Sequence, residues 1–198
     1  MGLIHIDLFS TLDLVAQAPG RPGEDPEGGF TFGGWQAPLM DEAVGRSVME
    51  GMQGLDALLL GRKTYDIWAA YWPHQNDSIG KLFNSVPKYV ASRGNPELNW
   101  AGSTLLKDVR EVRDSHENVH VIGSLDFAQT LLRERLFDRL TLWLYPIMLG
   151  AGKKVFDGGA VPSNLRLLEP PVAGSTGAVI LKYALADGVP GTGDMTEQ

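Results

Sequence analysis

A chain of 198 residues, 43% hydrophobic, is long enough for one substantial core and short for two, so a single domain over 1–186 and a Gly-rich polar tail over 187–198 are expected. The formal charge of -7 sets the overall field against nucleic acid, whose recognition needs a basic surface that displaces counterions. The absence of cysteine excludes disulfides, thiolate metal sites and cysteine nucleophiles, and with no signal-like leader and no apolar run long enough for a bilayer the expectation is a soluble, cytoplasmic protein.

Leu3 to Phe9 is apolar and β-branched enough for a first strand. Ala18 to Pro38 follows as a long loop rich in Pro and Gly that also carries Phe30, Phe32 and Trp35. Loops of that length are functional or disordered. Val44, Val48, Met49 and Met52 recur at helical spacing and predict a helix over 40–52, followed by a buried strand over 56–60.

A short aromatic helix is expected over 64–72, stopped by Pro73, and a second over 78–86, stopped by Pro87; the chain restarts as a strand at 88–91. A polar-faced helix over 105–114, a strand at 119–122 and a helix over 127–136 come next, the last with Leu131, Leu132 and Leu136 inward. The longest strand is expected at 140–147, and two more at 165–168 and 178–185 have no helical stretch between them. The pattern predicts an α/β fold with a mostly parallel central sheet and antiparallel C-terminal strands.

In such folds anions are bound where parallel strands end and helices begin, because free backbone N–H groups and the helix dipole point there. Leu60-Gly61-Arg62-Lys63-Thr64 offers a Gly for close approach, two cations and a hydroxyl, though the same residues also make a capped turn with solvated cations. Val121-Ile122-Gly123-Ser124 can cradle a pyrophosphate, and Val90-Ala91-Ser92-Arg93 delivers a hydroxyl and a guanidinium suited to a ribose 2'-phosphate. No G-x-G-x-x-G is present, which argues against a Rossmann fingerprint.

Taken in order, Leu58 to Tyr65, Tyr71-Trp72-Pro73, Pro87-Lys88-Tyr89-Val90, Val121-Ile122-Gly123-Ser124 and Pro146 to Gly152 make the chain resemble the dihydrofolate-reductase-like superfamily. Within it, the likeness is to the reductase domain of riboflavin biosynthesis, the RibD C-terminal domain, from Ile4 to about Leu185. The resemblance implies a three-layer α/β/α sandwich, usually a homodimer, that binds NADPH across the strand ends with a flat heterocyclic substrate facing the nicotinamide. It would give Gly61, Arg62, Lys63 and Thr64 to the cofactor phosphates, Ser92 and Arg93 to the 2'-phosphate, and Gly123, Ser124 and Leu125 to the pyrophosphate. Leu149 and Gly150 would line the nicotinamide end.

Two positions depart from the family pattern: Leu14 and Leu125 stand where many members have Gly. For the proton that accompanies a hydride, the sequence offers Asp41 at the start of the 40–52 helix and Asp13 after the first strand. Asp41 also suits a plain N-cap. Trp35 and Phe32 are candidate substrate-binding lid residues, or ordinary packing; Trp68, Tyr71 and Trp72 are expected in the core or an interface. The four histidines form no metal set, since His5 lies in a strand, His74 beside a Pro, and His116 and His120 about a turn.

The expected activity is therefore NADPH-dependent reduction of a small pterin- or aminopyrimidine-like heterocycle or a carbonyl compound. The alternative is a nucleotide- or ligand-binding module that keeps the fold without turnover.

Overall fold

The computed structural model describes residues 1–158 and 160–196. In chain order the elements are β1 (Leu3–Thr11), α1 (Glu42–Gly51), β2 (Ala57–Gly61), α2 (Arg62–Ala69), α3 (Ser78–Ser85), β3 (Lys88–Ala91) and β4 (Ser103–Leu105). They continue with α4 (Val109–Ser115), β5 (Asn118–Ile122), α5 (Leu125–Glu134), β6 (Arg139–Tyr145), β7 (Asn164–Leu167), β8 (Val172–Ala173) and β9 (Val179–Ala186). Residues 187–196 are exposed and form no helix or strand; the last two residues of the expected tail lie outside the described residues.

One sheet runs in the order β4-β3-β2-β5-β1-β6-β9-β7, with β8 paired to β9. Every pair from β4 to β6 is parallel, as the intervening helices require, while β9 lies antiparallel to β6, β7 and β8. This is the expected mixed α/β sheet with its antiparallel strands at the C-terminal edge.

Alternation along the strands builds a core on each face. Ile4, Ile6 and Leu8 of β1, Ala57 and Leu59 of β2, Val119 and Val121 of β5 and Leu140 and Leu142 of β6 pack with Val112 of α4 and Ala128, Leu131 and Leu132 of α5. On the other face Leu58, Leu60 and Val90 meet Tyr65 of α2 and Phe83 of α3, while Trp143, Tyr145 and Ile180 meet Val44 and Val48 of α1. Helices on both faces of the sheet make three layers.

Several boundaries differ from the sequence expectation; the helix expected over 64–72 spans Arg62–Ala69 and the one expected over 127–136 spans Leu125–Glu134. β1, at nine residues, exceeds β6, at seven: buried Ser10 and Thr11 continue β1 opposite Leu144 and Tyr145, while Pro146 ends β6. The helix expected from residue 105 starts at Val109, because Asp108 caps it through the Arg110 amide and Ser103 to Leu105 is a strand on the sheet edge. β8, two residues long, is too short to leave a periodic signal.

The face under α1 also buries polar groups. His120, 1% exposed, shares a 2.7 Å hydrogen bond with Asp7, and His5 stacks on His120 at 4.3 Å between ring centroids. Burial first, and the neighbouring His120 second, push His5 down to about 4, so it is held neutral. Among the described residues no group of three or more His, Cys, Asp or Glu is placed to hold a metal ion, and no helix is long and apolar enough to cross a membrane.

Candidate functional site

A cavity of about 1010 Å3 opens where β1, β2, β3 and β5 end. Its polar wall consists of two strand-to-helix junctions. Gly61 is the N-cap of α2 and Ser124 the N-cap of α5, and neither helix has a side-chain cap. The other three α-helices among the described residues are each capped by an aspartate, Asp41, Asp77 and Asp108, which accept from the amides of Val44, Gly80 and Arg110. The two helix starts that face the cavity thus keep their first-turn N–H groups for a ligand.

The junctions are bonded to each other. The Gly61 amide donates to Ser124 Oγ at 2.9 Å, and the Ser124 amide donates to Thr64 Oγ1 at 3.1 Å. Gly123, with φ 67°, and Ser124, with φ 56°, are both left-handed, which turns the chain sharply out of β5. A Cβ on Gly61 would meet Phe127 Cβ at 3.3 Å, so the glycine lets the two ends close. Leu125, the first residue of α5, lines the cavity beside them.

The cations divide into paired and free. Arg62 lies along its own helix with two 2.8 Å bonds to Asp66, and Lys63 pairs with Glu27 on the long loop. Arg93, after β3, and Arg21, on the loop, line the cavity without a side-chain hydrogen bond or ion pair among the described residues. Ser92 lies beside Arg93 on the same wall, and Glu24, Asp25 and Asp126 are the carboxylates of the lining.

The loop over 18–38 is pinned across one side of the cavity. Gln17, 2% exposed, donates to the carbonyls of Asp25 and Glu27 at 3.0 Å each, accepts from the Lys153 amide at 3.0 Å, and through its own carbonyl accepts from Trp35 Nε1 at 2.8 Å. Lys153 Nζ reaches Asp25 at 2.5 Å and Glu27 at 2.6 Å. Lys153 first, and Lys63 second, hold the Glu27 carboxyl down at about 2.

The lining also has an aromatic part. Ile67, Trp68, Tyr71 and Trp72 form it together with Phe9, and Trp68 stacks on Phe83 at 5.0 Å. Trp68 and Trp72 are therefore both core and cavity wall, a role that helical spacing alone does not reveal, while Tyr71 is 41% exposed. Gln36 and Lys153 also line the cavity and carry no sequence motif.

Several expected site residues lie elsewhere. Trp35, 7% exposed, packs edge-on against Tyr145 in the core. Phe32 lines a separate cavity of about 310 Å3 between the loop and Ala151 to Lys153. Leu149 and Gly150 are absent from the main cavity wall; their amides donate to Asp13 at 3.2 and 2.7 Å. That clasp, led by the Thr11 hydroxyl, lowers the Asp13 pKa. Asp41 accepts from the amides of Val44 and Thr176 and the hydroxyls of Ser175 and Thr176, joining α1 to the β8–β9 turn. The Val44 amide first, then that of Thr176, holds its carboxyl far below the usual range. Each of the two acids is thus kept ionised, the opposite of what a proton donor needs.

Residues 3–174 match the RibD C-terminal domain family. Among curated proteins the chain is similar to YyaP, an uncharacterized protein of Bacillus subtilis (strain 168), with 26% identity over 91% of this chain and 93% of that one. A candidate riboflavin biosynthesis protein from Shewanella sp. PV-4 has a similar structure, with a TM-score of 0.67 and 16% identity over 93% of this chain and 99% of that one. A pyrimidine reductase-like protein of Corynebacterium diphtheriae gives 0.60 and 11%, over 94% and 93%. RibD of Acinetobacter baumannii gives 0.62 and 13%, this chain spanning 59% of it. At such identities the structures speak for the fold, and the match over residues 3–174 carries the membership: this chain belongs to the RibD C-terminal domain family.

Proposed function

We propose that this chain is an NADPH-dependent reductase of a small flat heterocycle or a carbonyl compound. The carrying observation is that two uncapped helix starts, α2 and α5, open into one cavity while the other α-helices among the described residues are capped by aspartates. Two backbone anion sites bonded to each other suit the pyrophosphate of a dinucleotide. About 1010 Å3 is at the upper end of the range for a single ligand and leaves room for a second molecule.

In this reading the amides following Gly61 and Ser124 hold the pyrophosphate, with Gly123 and Leu125 shaping the turn. Arg93 and Ser92 hold the 2'-phosphate, for which a guanidinium without a partner offers a planar fork. Arg62 and Lys63 contribute long-range charge, and Lys63 would have to leave Glu27 to touch a phosphate directly. When bound, NADPH supplies a hydride. The chain orients the acceptor against the aromatic wall of Trp68, Tyr71 and Trp72 and shields it with the loop pinned by Gln17.

One observation favours the second reading, a nucleotide-binding module without turnover: Asp13 and Asp41 are both held ionised and neither lines the cavity. The two readings separate when NADPH oxidation is followed over a panel of pterins, aminopyrimidines and carbonyl compounds. The reductase reading expects at least one acceptor to be reduced with saturation kinetics; tight NADPH binding with no acceptor reduced across the panel would favour the second.

We further infer a cytoplasmic homodimer. The cysteine-free composition suits a reducing compartment, and Leu165 and Leu167, 40% and 41% exposed on the edge strand β7, suit a subunit contact. Light scattering across a dilution series tests the dimer, and a constant monomer mass would remove it.

A further inference from the structure

Gln36 lies on the cavity wall at the end of the long loop. Its backbone is tied on both sides, the amide donating to Pro19 O at 3.3 Å and the carbonyl accepting from the Leu39 amide at 2.9 Å. Its side-chain nitrogen donates to the Tyr145 hydroxyl at 2.7 Å and approaches Met40 Sδ at 3.5 Å. A thioether sulfur accepts and never donates, so the amide turns its nitrogen, not its oxygen, to that side.

Tyr145 is built to keep that orientation. It is fully buried, stacked edge-on against Trp35, and its hydroxyl donates to Met40 Sδ at 3.5 Å. Burial pushes the hydroxyl up to about 12, so it stays neutral and accepts from Gln36 through the working pH range.

With its nitrogen engaged, Gln36 has one polar side-chain atom left, Oε1, which has no partner among the described residues. That oxygen is not among the buried unpartnered atoms, and the residue that carries it lines the cavity. It is an uncharged acceptor in a lining that otherwise carries helix-start amides, guanidiniums and the Lys63 and Lys153 ammoniums as donors and the carboxylates of Glu24, Asp25 and Asp126 as charged acceptors.

We propose that Gln36 selects the substrate, its Oε1 serving as a fixed hydrogen-bond acceptor for an N–H group of a flat heterocycle, with Tyr145 as the positioning residue that locks the amide. The assignment rests on the reductase reading above. An amide oxygen without a partner pairs with a ring or exocyclic N–H and is left unsatisfied by a ring carrying only alkylated nitrogens.

The test uses two probes on one ring: 6-aminouracil, and the analogue in which every N–H is methylated. Binding of each to NADPH-saturated protein is measured by calorimetry, and NADPH affinity is measured in the same samples. Wild type is expected to prefer 6-aminouracil by about tenfold or more, the cost of one unsatisfied acceptor. Gln36→Leu should reduce the preference to about twofold or less, Gln36→Glu should restore it by restoring an acceptor oxygen, and Tyr145→Phe should leave an intermediate value because the amide is freed to rotate. No preference in wild type, or the same preference in Gln36→Leu, overturns the role of Gln36 while NADPH binding leaves the cofactor reading standing. Failure of wild type to bind NADPH overturns the cofactor reading instead.

Discussion

The amide of Gly61 donates to the hydroxyl of Ser124 at 2.9 Å, joining the end of β2 to the end of β5 across 63 positions of sequence. The bond sets the spacing of the two helix starts that face the cavity. Ser124→Ala should lower stability by about 1 kcal/mol and weaken NADPH binding several-fold, because the junctions lose their tie while the helices remain. Thermal melting with a parallel NADPH titration checks this, and full cofactor affinity in the variant would separate the bond from the site.

Arg93 and Arg62 should behave differently although both are guanidiniums beside the same cavity. Arg93 has no partner among the described residues, whereas Asp66 holds Arg62 in two hydrogen bonds and raises its pKa. Arg93→Ala should therefore lose about tenfold or more of the preference for NADPH over NADH, and Arg62→Ala little of it. Titrating both variants with both nucleotides decides, and the reverse ranking would transfer the 2'-phosphate to Arg62.

Asp41→Ala is expected to be a stability variant. Removing an N-cap that also ties α1 to Ser175 and Thr176 should lower the melting temperature. The rate of NADPH oxidation per folded molecule, with whichever acceptor the panel yields, should stay within about twofold. A loss of turnover in fully folded protein would restore Asp41 to the chemistry.

His5 gives the fold a defined acid sensitivity. Burial lowers its pKa from 6.5 unfolded to about 4 folded, so between those values the unfolded chain holds a proton that the folded protein refuses. Stability contributed by neutral His5 is present above pH 6.5 and is lost as pH falls toward 4. From pH 7 to 5 the wild type should lose about 2 kcal/mol more than His5→Leu. Urea unfolding at the two pH values measures the difference, and equal losses would show that His5 titrates normally.

The sheet was legible because Leu58 to Leu60, Val119 to Ile122 and Leu140 to Tyr145 are apolar runs between turn signals, and burial on both faces leaves few other places for them. The helix starts were legible as chemistry because Gly61 and Gly123-Ser124 follow such strands directly. The loop was not. Its shape depends on Gln17, whose four hydrogen bonds reach Asp25, Glu27, Trp35 and Lys153, and no local pattern marks a glutamine as a hub. The same holds for Asp13 and Asp41: a carboxylate after a strand and one before a helix are compatible with catalysis in sequence, and only their clasps on Leu149-Gly150 and on Thr176 show them held ionised away from the cavity. Of the three rings expected on one helix face, only Trp68 lies on α2, which ends at Ala69; Trp68 and Trp72 pack against the core, Tyr71 is 41% exposed, and all three line the cavity.

The most direct test of the account is a titration of the wild-type protein with NADPH, followed by nicotinamide fluorescence and thermal stability. The paired helix starts predict saturable binding, a rise in melting temperature with NADPH concentration, and weaker binding of NADH. Neither nucleotide binding at millimolar concentration would contradict it.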